Sequence, residues 1–98
     1  MGHFLLFYET APDYIERRPS FRAEHLAHAK AAVARGELIL GGALADPPDR
    51  AVLLFRADTA SVARDFAAND PYVLNGLVTG WTVREWTTVV GEDASIPL

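Results

Sequence analysis

Two short motifs in the sequence contain side chains that could transfer a proton. One contains Arg22 and His25 in an alanine-rich stretch, and the other is Asp70-Pro71-Tyr72. Histidine is well suited to acid–base chemistry near neutral pH. A carboxylate beside it can hold one imidazole tautomer and stabilise the imidazolium that forms on protonation. The two motifs therefore predict general acid–base chemistry if the fold brings His25 and Asp70 together.

Both residues also have a purely structural interpretation. His25 can be a core histidine that bonds to a backbone carbonyl, and Asp70 has the features of a helix N-cap. Pro71 suits the first turn of a helix, because the amide proton that it lacks would have no helical partner there. The dipole of that helix favours a charged carboxylate. The residues by themselves leave the catalytic and the structural interpretation open.

No metal or cofactor site is predicted. His25 and His28 could share an ion at their spacing of three residues, but the chain has no H-E-x-x-H pattern and no cysteine. His28 is expected at the surface, paired with Glu24 four residues earlier. The Gly41-Gly42 segment lacks the glycine spacing of a phosphate-binding loop. We therefore expect any chemistry to need no cofactor.

The composition limits the class of protein. The chain has 98 residues, of which 50% are hydrophobic and 22% charged, and its formal net charge is −4. These values are typical of one globular domain, residues 1–98, with 91–98 as a loosely ordered tail. No basic run would attract nucleic acid, and no apolar stretch approaches the about 20 residues that cross a membrane. A cytoplasmic location is expected, since no secretion signal is evident.

The order of apolar runs and helix breakers predicts the fold that must position the two motifs. Strands are expected at 3–8, 37–44, 51–57 and 77–90, and helices at 21–35, about 60–68 and 71–75. Pro12 and Pro19 are expected to confine 13–17 to a separate short turn, with Ser20 as N-cap of the first helix. The order β-α-β-β-α-β predicts an α+β, ferredoxin-like fold with a four-stranded antiparallel sheet.

Both faces of this sheet are predicted to be apolar. Leu5 and Phe7 alternate with Leu6 and Tyr8 in the first strand, and the third strand, 51–57, alternates in the same way. The helices cover only one face. A second copy of the chain, packed sheet to sheet, is the expected cover of the other. Folding of the eight-residue tail over this face is the alternative.

The first helix is expected to place its histidine beside a pocket. Leu26, Ala29 and Val33 form the predicted inward stripe, with Ala32 on its flank and His25 within the same arc. Small alanine side chains near the ring leave room for a ligand.

The sequence resembles the YciI-like family over residues 3–90, nearly its whole length. Two motifs carry most of the resemblance: Arg22-x-x-His25-Leu26, and Asp70-Pro71-Tyr72 followed by Gly76. One position departs from the family pattern, because Gly41-Gly42 precedes Ala43 where many relatives have a proline. The rim of the expected pocket should differ there.

The resemblance implies a dimeric α+β barrel of ferredoxin-like fold, with His25 and Asp70 in its active site. It also implies elimination or isomerisation of a small, cyclic or aromatic, oxygenated substrate. The candidate substrate contacts are Arg22, Gly41, Gly42 and Tyr72. The alternative is a non-catalytic module in which His25 only hydrogen-bonds a small ligand.

Overall fold

A computed structural model describes all residues from 1 to 98. Its elements in chain order are β1 (Gly2–Thr10), α1 (Tyr14–Ala34), β2 (Leu38–Ala43), β3 (Arg50–Ala57), α2 (Ser61–Asn69), α3 (Pro71–Leu74) and β4 (Val78–Trp86). The predicted ferredoxin-like α+β order is confirmed. None of the helices has the length and apolar character needed to cross a bilayer.

The four strands form one antiparallel sheet in the order β2-β3-β1-β4. β1 lies in the interior, where Leu6 pairs with Leu53 on one side and with Val83 on the other. Side chains that share a register position share a face of the sheet, so these three point the same way. The predicted four-stranded antiparallel sheet is therefore present.

The core lies between the sheet and the helices. Leu6 and Phe55 have no exposed surface, and Tyr8 is 1% exposed. Phe66 of α2 packs edge to face on Phe55, with ring centroids 5.2 Å apart. Burial of each large apolar side chain contributes about 1.5–3 kcal/mol, so this layer fixes the helices on the sheet.

The other face of the sheet, which we call the open face, is also apolar, as predicted. Leu5, Phe7, Val52 and Leu54 alternate with the buried residues and are only partly covered. Leu40 pairs with Leu54 in the register and is 70% exposed. No helix covers this face, because both main helices lie on the other.

The end of the chain folds back on itself over one end of the open face. The amide of Ile96 donates to the Thr88 carbonyl, and that of Leu98 donates to the Val89 carbonyl. The Thr88 hydroxyl lies 2.7 Å from Nδ1 of His3, which is buried. Because His3 shares its face of the sheet with Leu5 and Phe7, these contacts cover the end of the open face at the start of β1.

The first helix is longer than predicted. α1 begins at Tyr14 and continues through Pro19, so the separate turn and the Ser20 N-cap are wrong. Pro19 removes only the hydrogen bond that its amide would donate to the Ile15 carbonyl, close to the start of the helix. The continuous helix places Arg18 one turn before Arg22.

The inward stripe of α1 also differs from the prediction. Ala32 is fully buried, whereas Val33 is 53% exposed. Leu26, Ala29 and Val33 line a cavity between α1 and the sheet, and Ala29 also packs against the core. Ala32, whose side chain is a single methyl group, belongs to the buried core.

α3 has only four residues and is fixed at both ends. Asp70 is its N-cap and accepts a hydrogen bond from the Tyr72 amide. Gly76 follows with φ +76°, in the left-handed region, and the amide of Leu77 donates to the Tyr72 carbonyl. This turn holds Asp70 and Tyr72 in their relative positions.

Substitution of Gly76 tests how firmly this turn is specified. Gly76→Ala should lower the free energy of unfolding by about 1 kcal/mol, because a Cβ disfavours the left-handed backbone. Steric overlap adds nothing, since the nearest atom, Nη1 of Arg17, would lie 3.9 Å away. Gly76→Asn should lose less, because asparagine tolerates this conformation. Chemical denaturation measures the free energy of unfolding of both variants. Equal losses would contradict the conclusion that the left-handed backbone requires glycine at position 76.

Candidate active site

The carboxylate of Asp70 is fully buried and accepts three hydrogen bonds. Its Oδ1 lies 2.8 Å from Nδ1 of His25 and 3.0 Å from the Tyr72 amide. Its Oδ2 accepts a 2.7 Å hydrogen bond from the Tyr8 hydroxyl. A buried carboxylate is stable only with such partners, and here α1, α3 and β1 each supply one.

The contact predicted between His25 and Asp70 is present, and it defines the state of the ring. The carboxylate is an acceptor only, so Nδ1 of His25 is the protonated nitrogen. Nε2 forms no hydrogen bond within the chain and is left as the basic atom. The imidazole also stacks on Tyr72, with centroids 3.8 Å apart and planes 4° from parallel. The side chain is 17% exposed, so solutes can reach it.

His25 borders a cavity of about 370 Å³ that lies between α1, α3 and the sheet and opens to solvent. This volume falls in the range of small-molecule sites, about 300–1,000 Å³. Thirteen of its twenty lining residues are hydrophobic. Asp70 does not line it and lies behind the histidine. The arrangement presents one basic nitrogen to an apolar space, with the carboxylate shielded from the ligand.

The four candidate substrate contacts all line this cavity: Arg22, Gly41, Gly42 and Tyr72. Gly41 is closely packed, because a Cβ at this position would lie 3.2 Å from Cγ of Leu53. A larger side chain at position 41 would press against Leu53, which also lines the cavity. The roles of these residues in binding remain predictions.

Three residues of the site were not identified from the sequence. Tyr8 was assigned only to a sheet face, and nothing in its own strand points to a distant carboxylate. Arg18 and Lys30 also line the cavity. Arg18 lies four residues before Arg22, but the helix was expected to begin after Pro19, so this spacing did not indicate a shared helix face. Lys30 lies within the predicted helix, eight residues after Arg22, and this spacing was a signal that the prediction did not use.

The Tyr72 hydroxyl is buried without a hydrogen-bond partner, although the residue lines the cavity. Burial raises the pKa of this hydroxyl, and the neighbouring Tyr14 adds to the rise. The positive charges of Arg22 and Arg18 act in the opposite direction, as does the approach of the Arg22 guanidinium to the hydroxyl oxygen, which falls short of a hydrogen bond in its geometry. The hydroxyl therefore stays protonated at neutral pH and is available to donate.

The predicted surface pair of His28 and Glu24 does not form. Its Nε2 lies 2.9 Å from the Phe66 carbonyl, and its ring stacks on Phe66 with centroids 4.3 Å apart. This histidine joins α1 to α2. No group of three or more His, Cys, Asp or Glu side chains is placed to hold a metal ion.

Comparison with known proteins identifies the family of the chain. The YCII-related domain matches residues 2–87. The chain belongs to the YCII-related family. An uncharacterized protein of Haemophilus influenzae is 28% identical over 96 residues, which cover 89% of this chain and 98% of that protein.

Solved structures with the same fold include enzymes and proteins of other families. This YCII-related chain is similar to the 5-chloro-2-hydroxyhydroquinone dehydrochlorinase of Burkholderia phenoliruptrix, with a TM-score of 0.72 and 24% identity over 88% of this chain and 94% of that one. A NIPSNAP family protein of Agrobacterium tumefaciens has a TM-score of 0.56 and 13% identity, covering 96% of both chains. At these identities the similarity establishes the fold.

The hydrogen bond from Tyr8 gives the YCII-related domain a testable pH dependence. Burial raises the pKa of the Tyr8 hydroxyl far above its ordinary value, and the charge of Asp70 and the hydrogen bond to it act in the same direction. Tyr8 therefore ionises in the unfolded chain at about pH 10, before it ionises in the folded protein. Stability should be lost as the pH rises above this value.

Tyr8→Phe isolates this effect. At neutral pH the variant should be less stable by about 2 kcal/mol, because Oδ2 of Asp70 loses its donor. Above about pH 10 the wild type should lose up to about 1.4 kcal/mol per pH unit through Tyr8, and the variant should lack this contribution. The difference in free energy of unfolding between the wild type and Tyr8→Phe should therefore shrink towards pH 12. A constant difference in urea denaturation across this range would contradict the account.

Proposed function

We propose that this YCII-related protein is a small-molecule enzyme in which His25 is the general acid–base and Asp70 orients it. The observation that carries the proposal is the 2.8 Å contact between Nδ1 of His25 and a fully buried carboxylate. This contact leaves Nε2 free beside the cavity. Carboxylate-oriented histidines act in this way in many enzymes.

The proposed substrate is a small, cyclic or aromatic, oxygenated molecule. The cavity volume and its mainly hydrophobic lining support a ring-sized ligand. The structurally similar dehydrochlorinase is described in complex with 2,5-dihydroxybenzoquinone, an oxygenated ring. Arg22 and Tyr72 supply polar groups that can hold the oxygen atoms, and Gly41 and Gly42 supply part of the wall.

The proposed reaction begins with removal of a proton from a carbon next to a carbonyl. Nε2 of His25 takes the proton, and the electron pair of the broken C–H bond moves onto the carbonyl oxygen as an enolate. Return of the proton to a different carbon gives isomerisation. In elimination, the electron pair returns from the enolate oxygen and a C=C bond forms between the deprotonated carbon and its neighbour on the side away from the carbonyl, which releases its leaving group as an anion. The imidazolium then passes its proton to solvent. Neither route consumes a cofactor.

Asp70→Asn separates the proposed orienting role from helix capping. An asparagine oxygen can still accept from the Tyr72 amide, and its NH₂ group can donate to the Tyr8 oxygen. The free energy of unfolding should therefore change by about 1 kcal/mol or less. The amide cannot stabilise imidazolium, so the rate of proton transfer should fall about 100-fold or more.

The measurement is exchange of carbon-bound hydrogen for deuterium in D₂O, followed by proton NMR on a panel of small phenols, lactones and keto acids. Asp65→Asn is the matched control, because it makes the same chemical change on the exposed side of α2. Equal exchange rates in the wild type and Asp70→Asn would refute the orienting role. Binding of panel members without any exchange would favour a non-catalytic binding module instead.

We also propose that two chains pack through their open faces to form a homodimer. Five apolar side chains on that face support the proposal: Leu5, Phe7, Leu40, Val52 and Leu54. Contiguous exposed apolar surface on one face of a sheet is typical of interfaces. The helices on the other face would remain at the outside of such a dimer.

Leu54→Asp tests this interface. Sedimentation of the wild type at micromolar concentration should give about twice the mass of one chain, and the variant should give the mass of one chain, since it places a charge in the apolar contact. Leu74→Asp is the control, because Leu74 is 68% exposed on α3 and outside the open face. A wild type that sediments as a single chain would refute the proposal.

A further inference from the structure

The charged side chains around the cavity are all of one sign. Arg18, Arg22 and Lys30 line it, and no Asp or Glu does so. The whole chain carries a formal net charge of −4, so this local excess of positive charge is not a property of the general surface. An apolar space bordered by cations favours a ligand with a negative group.

The position of these cations follows from the continuous α1. Residues four and eight positions apart lie on the same side of a helix, so Arg18, Arg22 and Lys30 share one side with Leu26 between them. The guanidinium of Arg18 lies 5.5 Å from the centroid of the Tyr14 ring. Tyr14 in turn packs edge to face on Tyr72, at 5.8 Å between centroids. Arg18 is therefore held on the Tyr72 side of the cavity.

The Tyr72 hydroxyl is a second, independent indication of a ligand at this position. The residue is 2% exposed, and its hydroxyl has no hydrogen-bond partner in the chain. Buried polar groups in native proteins almost always have a partner, so an unpaired donor beside a cavity points to a group that enters from it. The neighbouring cations make an anionic oxygen the best acceptor.

We propose that the cavity selects a substrate with a negatively charged oxygen, a carboxylate or an ionised enol or phenol, held by Arg18, Arg22 and the Tyr72 hydroxyl. Lys30 adds to the positive field from the next turns of the helix. The stack of His25 on Tyr72 then places the basic nitrogen beside the bound anion. That the ligand is a substrate rests on the proposed function, whereas the preference for an anion can be tested by binding alone.

The test compares salicylate with salicylamide, which have similar shapes and differ by one charge. Proton NMR titration should show salicylate shifting the ring resonances of His25 and Tyr72, with an affinity about tenfold or more above that of salicylamide. Salt should weaken the salicylate complex, because Arg22 and Lys30 are exposed to solvent. Equal affinities, or binding that leaves both rings unshifted, would overturn the proposal.

Variants assign the preference to the named groups. Arg18→Gln and Arg22→Gln should each reduce it several-fold, and Arg18→Lys and Arg22→Lys should retain part of it because they keep the charge. Tyr72→Phe should weaken salicylate while preserving the ring that stacks on His25. Arg64→Gln, on the exposed side of α2, is the control and should bind as the wild type does. A preference that survives in both glutamine variants would overturn the assignment.

The results also separate this inference from the proposed catalysis. Preference for salicylate without deuterium exchange on any panel compound would support the anion site and count against the enzyme. Exchange confined to neutral compounds, with no preference for salicylate, would support the enzyme and overturn the anion site.

Discussion

The site depends on a carboxylate that is buried without any exposed surface. Removing a charge from water is unfavourable unless hydrogen bonds replace its hydration, and three elements meet at Asp70 to supply them. That requirement fixes the position of α3 against β1 and of α1 against α3. It also fixes the tautomer of His25, because a carboxylate can only accept. Helix capping and histidine orientation are therefore two results of the same contact.

Much of this arrangement could be predicted from the sequence. Alternation of apolar residues in β1 and β3 indicated a sheet with two apolar faces. The proline and glycine residues between the apolar runs indicated the order of the helices and strands. The Asp70-Pro71 pair identified the start of α3 from local chemistry alone. The contact between Asp70 and His25 spans 45 positions of the chain, and only the resemblance to a family connected the two motifs.

The remaining parts depend on tertiary packing that local patterns do not encode. Pro19 was expected to separate two elements, yet α1 continues through it at the loss of one hydrogen bond, since burial of Tyr14 stabilises the extra turn. Because the helix was expected to begin after Pro19, Arg18 was not included in the predicted site. Tyr8 belongs to the site only because β1 passes beneath the junction of α2 and α3, where Asp70 lies. The stripe of Leu26, Ala29 and Val33 faces a cavity, and periodicity cannot distinguish a cavity from a packed core.

The tautomer of His25 is the most direct test of this account. Nitrogen-15 NMR of the labelled imidazole distinguishes a ring protonated at Nδ1 from one protonated at Nε2. The buried carboxylate predicts that neutral His25 carries its proton on Nδ1, leaving Nε2 unprotonated at the cavity, and that Asp70→Ala removes this preference. A wild-type ring protonated at Nε2 would contradict the account, because its basic nitrogen would then face Asp70.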